Sequence, residues 1–196
     1  MAKSTFDKAY FDRFYESKRT RVYGADRMAH LGAGIVGFLR WFGAPIRNVL
    51  DVGAGPGHLR DWFAEHHPKT RYVSTDVSAY ACAKYGHVQR DIATWKGRET
   101  FDLVVAQGVF PYLSDADVKR GLANVAAMSR GFFYFEAITR KDLAETCDTD
   151  VTDTTVHRRT KAAYMAALRP HFDPIGAGLW YRKGGPLGFY ELEASP

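Results

Sequence analysis

Apolar positions along the chain change their period near residue 47. Before that point, in "STFDKAYFDRFYES", Phe6, Tyr10, Phe11, Phe14 and Tyr15 recur at helical spacing. Ser4 and Asp7 stand where a capping box would open that helix. A second helix is predicted over 26–42. After residue 47 short apolar runs alternate with helical stretches. Strands are predicted at 48–52, 71–76, 87–91, 101–107 and 131–137. Helices are predicted at 57–66, at 78–84, from the capping Ser114 to about 129, and at 155–169, ending before Pro170. "AGLWYRKGGPLGFYELE" reads as two more strands around a Gly-Gly-Pro turn.

Strands alternating with helices imply an α/β fold with a doubly wound, mostly parallel sheet. Seven strands are expected, the last two as an antiparallel C-terminal hairpin. The 196 residues suit one domain, with residues 46–196 as the core and residues 1–45 as N-terminal helices lying over it. In such sheets ligands bind beyond the carboxyl ends of the strands. Asp51, Asp76, Asp91 and Gln107 end four successive predicted strands.

Composition narrows the class. No run of 18 apolar residues is present, so no membrane partner is expected. The first residues carry Asp7, Asp12 and Glu16 and no apolar core, unlike a secretory signal, and a cytoplasmic location is expected. Cys82 and Cys147 lie far apart without partners at metal spacing, which argues against a disulfide framework or a zinc site. The net charge of +5 lies partly in "SKRTR" (17–21) and "HRRTK" (157–161). These segments read as a surface for nucleic acid or an anionic substrate, or more plainly as solvated helix faces. Nothing in the pattern specifies an oligomeric state.

The stretch "VLDVGAGPGHLRDWF" carries the sharpest signal. Gly53, Gly55 and Gly57 follow an apolar run that contains Asp51. A dinucleotide loop needs a glycine where His58 stands, and a phosphate loop needs a lysine and a hydroxyl that "GPGHLR" lacks. A carboxylate at Asp51 would oppose a pyrophosphate and favour an ammonium or sulfonium. The loop suits a ligand with positive charge and no phosphate.

"LDVGAGPG" resembles motif I of the class I S-adenosylmethionine-dependent methyltransferases. "VSTDVS", "VQRDIA", "FDLVVAQGVFPYL" and "GFFYFE" match the later motifs in order, so the resemblance spans roughly residues 45–193. It implies S-adenosylmethionine as cofactor. The loop of Gly53, Ala54, Gly55 and Gly57 would pass against the methionine moiety, with Asp51 facing its ammonium. Asp76, with Val77 beside it, would accept from the ribose hydroxyls. Asp91 and the Ile92 N–H would meet the adenine, Val109 would pack on it, and Gln107 and Gly108 would line the methionine side. The aromatic N-terminal segment lies outside the sheet pattern and is expected to form a lid through which Tyr15 and Arg19 reach the cofactor. Alternatively, its rings only fill a groove on the sheet.

The acceptor is expected to be a small molecule methylated on oxygen or nitrogen. The Asn/Asp-Pro-Pro-aromatic motif of base-amine methyltransferases is replaced by Gln107-Gly108-Val109-Phe110, and the Pro-Cys nucleophile of cytosine-C5 enzymes is absent, which disfavours nucleic acid. Glu136, Tyr112 and His157 are the candidate bases, each with a plainer reading as a turn, packing or surface residue. Asp148, Asp150 and Asp153 could hold a divalent metal, but a solvated acidic loop is the favoured reading and no metal is expected. The alternatives are an RNA or protein methyltransferase using the basic segments, and a catalytically silent cofactor-binding module.

Overall fold

In the computed structural model, which describes residues 6–191 and 193, the alternation beyond residue 47 becomes one sheet. Its strands are β1 (Asn48–Val52), β2 (Arg71–Asp76), β3 (Val88–Gln89), β4 (Phe101–Gln107), β5 (Ser129–Glu136), β6 (Phe172–Gly176) and β7 (Leu179–Arg182), in the order β3-β2-β1-β4-β5-β7-β6. The first five run parallel, and β7 runs antiparallel to both β5 and β6. The order reverses between β1 and β4, which opens a crevice at their carboxyl ends.

The sheet is covered on both faces, so its central strands are continuous apolar runs rather than alternating ones. One layer packs α5 (Asp115–Met128) and α7 (Lys161–Leu168) on Leu50, Val104 and Phe133, through Leu122 and Leu168. The other packs α2 (Ala25–Trp41) and α3 (His58–His66) on Val49, Leu103, Val105 and Phe132, through Leu39 and Phe63. Gly32 lets these two helices meet closely: a Cβ there would lie 2.4 Å from the Trp62 ring. The remaining helices are α1 (Lys8–Phe11), α4 (Ala79–Tyr85) and α6 (Arg140–Glu145). No helix among the described residues is long and apolar enough to cross a membrane.

Several expected boundaries move. The single N-terminal helix is instead α1 followed by a π-helical turn, Asp12–Glu16. Asp7 is its N-cap, accepting the Tyr10 N–H at 3.0 Å, and Ser4 lies outside the described residues. Only two residues of 87–91 form β3. The helix expected from 155 starts at Lys161, because Thr160 caps it by accepting the Ala163 N–H. The hairpin turn falls at Ala177-Gly178, both at positive φ (49° and 80°), as a two-residue hairpin turn requires. The Gly-Gly-Pro stretch follows β7 and leads out of the sheet.

Candidate active site

The site is built from the loop that leaves β1. Gly53, Gly55 and Gly57 all take positive φ (69°, 57° and 80°), and Gly53 also makes room for a neighbour. A Cβ on Gly53 would lie 2.4 Å from Val109 Cγ2. The N–H groups of Gly53 and Ala54 donate to the Thr75 carbonyl at 2.8 and 3.0 Å, tying the loop to β2. Buried His87 holds it from beneath. The Gly55 carbonyl can only accept, so Nε2 donates to it at 2.9 Å and Nδ1 accepts from Ser74 Oγ at 2.8 Å. This needs a neutral imidazole, and burial lowers the His87 pKa accordingly.

Two buried carboxylates flank the loop. Asp76 Oδ2 accepts the Gly55 N–H at 3.0 Å and Oδ1 the Ser78 N–H at 2.8 Å. Burial raises its pKa despite these donors. Asp51 accepts one side-chain bond, from Tyr72 Oη at 2.8 Å, and burial pushes its pKa up to about 7. Among the described residues no ion pair reaches either carboxylate. A buried carboxylate without a cation is costly unless a ligand supplies one.

Across the crevice stands Glu136, at the end of β5. Its Oε1 accepts from Tyr23 Oη at 2.8 Å, and its Oε2 from Gln107 Nε2 at 3.2 Å and Tyr134 Oη at 3.0 Å. Residues 6–16 cover the crevice. Ser78 Oγ donates to the Phe6 carbonyl, Phe11 packs on Tyr80 and Tyr85, and Glu16 pairs with Lys84. Tyr15 lies 3.8 Å from where a Gly55 Cβ would stand. On the other side Tyr10 Oη meets Tyr112 Oη at 2.9 Å, and Tyr112 donates to Asp153 Oδ2 at 3.1 Å. A cavity of about 110 Å³ remains beneath this cover.

Residues 50–130, from β1 into β5, match the family model of a methyltransferase domain. The match is to a methyltransferase domain and spans less than half of the chain. Solved structures share its fold. An S-adenosylmethionine-dependent methyltransferase from Clostridium acetobutylicum ATCC 824 is 13% identical with a TM-score of 0.66, covering 90% of this chain and 97% of its own. A magnesium protoporphyrin IX methyltransferase from Synechocystis PCC 6803 with bound SAH is 14% identical with a TM-score of 0.66, covering 92% and 98%. The plantazolicin methyltransferase in complex with a pentazolic desmethylPZN analog and SAH is 15% identical with a TM-score of 0.53, covering 66% and 55%. None of the curated proteins matches the chain in sequence.

The crevice gathers many of the residues expected from sequence. Asp51, Gly53, Ala54, Gly55, Gln107 and Gly108 line the cavity, as do Tyr15, Tyr112 and Glu136. Gly57 ends the loop and Val109 packs on Gly53. Asp76 does not line the cavity but holds its wall by accepting the Gly55 N–H. Val77 and Asp91 are exposed, Asp91 capping the Ala93 N–H at 2.9 Å, and Ile92 is buried in the core against α5. Arg19 and His157 stand apart from the cavity, both exposed. The His157 N–H is held by the Pro111 carbonyl, while Arg159 turns inward to Asp115 and the carbonyls of Phe110 and Leu113. The segment "HRRTK" is thus no continuous basic surface. Among the described residues no three His, Cys, Asp or Glu side chains converge as a metal site requires. Asp148 and Asp153 instead accept the N–H groups of Asp150 and Thr155.

S-adenosylmethionine fits these residues. Asp51 offers a buried carboxylate with no ion-pair partner among the described residues, on the wall of the same cavity as the bare backbone of Gly53 and Gly55. Tyr72, His87, Tyr23 and Asp153 complete the site. Only Asp153 carried a sequence signal, as one of three clustered acids.

Proposed function

We propose that this methyltransferase transfers a methyl group from S-adenosylmethionine to an oxygen or nitrogen of a small-molecule acceptor. When bound, the cofactor supplies a methyl group already activated on a sulfonium, so the protein's tasks are alignment, water exclusion and proton uptake. Asp51 and the Gly53–Gly55 backbone would hold the methionine end. Each Asp76 oxygen already accepts one N–H and keeps a lone pair for a ribose hydroxyl. Asp91 and the Ile92 N–H would face the adenine, and residues 6–16 would act as the lid, with Tyr15 over the loop.

The observation that carries the acceptor reading is Glu136 inside a covered cavity. Its Oε2 accepts two donors and is filled, whereas Oε1 accepts only Tyr23 and keeps a free lone pair. That oxygen would take a proton from an acceptor. The small covered space favours a metabolite over a nucleic acid or a folded protein. The free thiols Cys82 and Cys147 suit a cytoplasmic setting. The test is incubation of the full chain with methyl-labelled S-adenosylmethionine and fractionated cell extract. Label in the small-molecule fraction is expected. Label confined to RNA or protein would sink the small-molecule reading.

A further inference from the structure

The whole chain carries a net charge of +5, yet its covered cavity is acidic. Asp51, Glu136 and Asp153 line it, and no lysine or arginine does among the described residues. His58, also on the wall, does not offset them: burial lowers its pKa and favours the neutral ring. Asp51 lies at the loop end and answers the donor's own positive charge. That leaves Glu136 and Asp153 at the acceptor end. The donors to Glu136 are neutral, being two phenols and an amide, and among the described residues Asp153 receives only the Tyr112 hydroxyl and the N–H and hydroxyl of Thr155. The Arg27 guanidinium stacks on the Tyr23 ring at 4.9 Å and does not line the cavity.

We propose that the acceptor is a small amine that arrives as an ammonium, attracted by Glu136 and Asp153 and sheltered by the rings of Tyr10, Tyr23 and Tyr112. This rests on the methyltransferase reading above. Two carboxylates without cations repel an acceptor bearing a carboxylate or phosphate. Tyrosine faces attract a cation through the ring quadrupole. The chemistry balances. The ammonium gives a proton to Glu136 Oε1, and the freed nitrogen lone pair forms the N–C bond. The C–S bond breaks with its electron pair passing to sulfur, which becomes neutral. The nitrogen ends positively charged, so the product is a cation suited to the same walls.

The test uses the full chain and three compact probes of similar size: tetramethylammonium, tert-butanol and pivalate. Calorimetry with S-adenosylhomocysteine comes first, and absence of binding there would overturn the methyltransferase reading and this proposal with it. In the S-adenosylhomocysteine-saturated protein, saturation-transfer NMR is expected to show tetramethylammonium binding at least tenfold tighter than tert-butanol, with pivalate weakest. Glu136→Gln and Asp153→Asn should each weaken tetramethylammonium at least fivefold while S-adenosylhomocysteine affinity stays within twofold. In a mixed panel of small amines, alcohols and carboxylates, labelled methyl should accumulate on the amines. Equal binding of the three probes, or label on alcohols or carboxylates alone, would overturn the amine proposal and leave the methyltransferase reading standing.

Discussion

At the amino end of the sheet, Asp102 opens β4 as a buried carboxylate and is fully answered. Arg130 Nε donates to it at 2.7 Å, with the N–H groups of Arg47 and Asn48 at 2.7 and 3.3 Å. Burial alone would raise its pKa, but Arg130 and these N–H groups bring it below the usual carboxylate range. At the carboxyl end, Asp51 and Asp76 are equally buried and have no ion-pair partner among the described residues, and both are shifted upward. The same residue type therefore does two jobs. At one end it locks strands to a neighbouring arginine. At the other it holds negative charge that becomes favourable only when a positive ligand arrives, and the apo fold is less stable for it.

Removing a member from each end sharpens this contrast. The largest effect on the ligand is expected from Asp76→Ala, which removes the ribose acceptors and strands the N–H groups of Gly55 and Ser78, each worth ~1–3 kcal/mol when unsatisfied. S-adenosylmethionine affinity should fall on the order of 100-fold by calorimetry. Asp91→Ala, at an exposed position, should cost less than about tenfold. Equal losses in the two variants would remove Asp76 from its assigned role.

Asp102→Ala should act on stability alone. Losing the Arg130 pair and two N–H partners costs about 2 kcal/mol, given that Arg130 is partly exposed, and lowers Tm by roughly 4–8 °C. S-adenosylmethionine affinity should stay within twofold. A variant of normal Tm but poor cofactor binding would reverse the assignment of the two ends. The smallest effect is expected from Tyr10→Phe, which removes the Tyr10–Tyr112 bond that ties the cover to the turn after β4. One net hydrogen bond of ~0.5–1.5 kcal/mol predicts a two- to tenfold loss in turnover, with cofactor affinity nearly unchanged. Unchanged turnover would make that bond incidental to closure.

The carboxyl end was legible because strands buried on both faces announce themselves. Val104, Val105 and Ala106 form an unbroken apolar run, and strand-end residues then follow from chain order. The hairpin was misplaced because the conspicuous Gly-Gly-Pro is only an exit. The true turn uses Ala177 at left-handed φ, and Pro174, tolerated on the edge strand β6, reads as a breaker. The supporting polar groups were not legible. Tyr72 reaches Asp51 across 21 residues, His87 reaches Gly55 across 32, and Tyr23 reaches Glu136 across 113, so no local pattern links them. Net charge says nothing of the cavity either, because among the described residues no lysine or arginine lines it.

Asp51 offers the most direct measurement: S-adenosylmethionine affinity by calorimetry from pH 5.5 to 8.5, in wild type and Asp51→Asn. Its neighbours are Tyr72, which donates to it, Asp76, which pushes its pKa up, and Arg60, which pulls it down, and burial outweighs them. With a folded pKa of about 7, above its ordinary value, the carboxyl is protonated in acid and must ionise to face a cation. Without ligand, the stability that comes from its bound proton is full well below that range and is lost as pH rises through about 7. Asp51→Asn should therefore gain Tm relative to wild type between pH 5.5 and 8.5. Wild-type affinity should rise through pH 7 and level off. The variant, which separates Asp51 from titration of the donor's own amino group, should lack that rise and bind about tenfold more weakly at pH 8. Identical affinities for the two proteins across the range would contradict the claim that this end of the sheet is built to receive a positive charge.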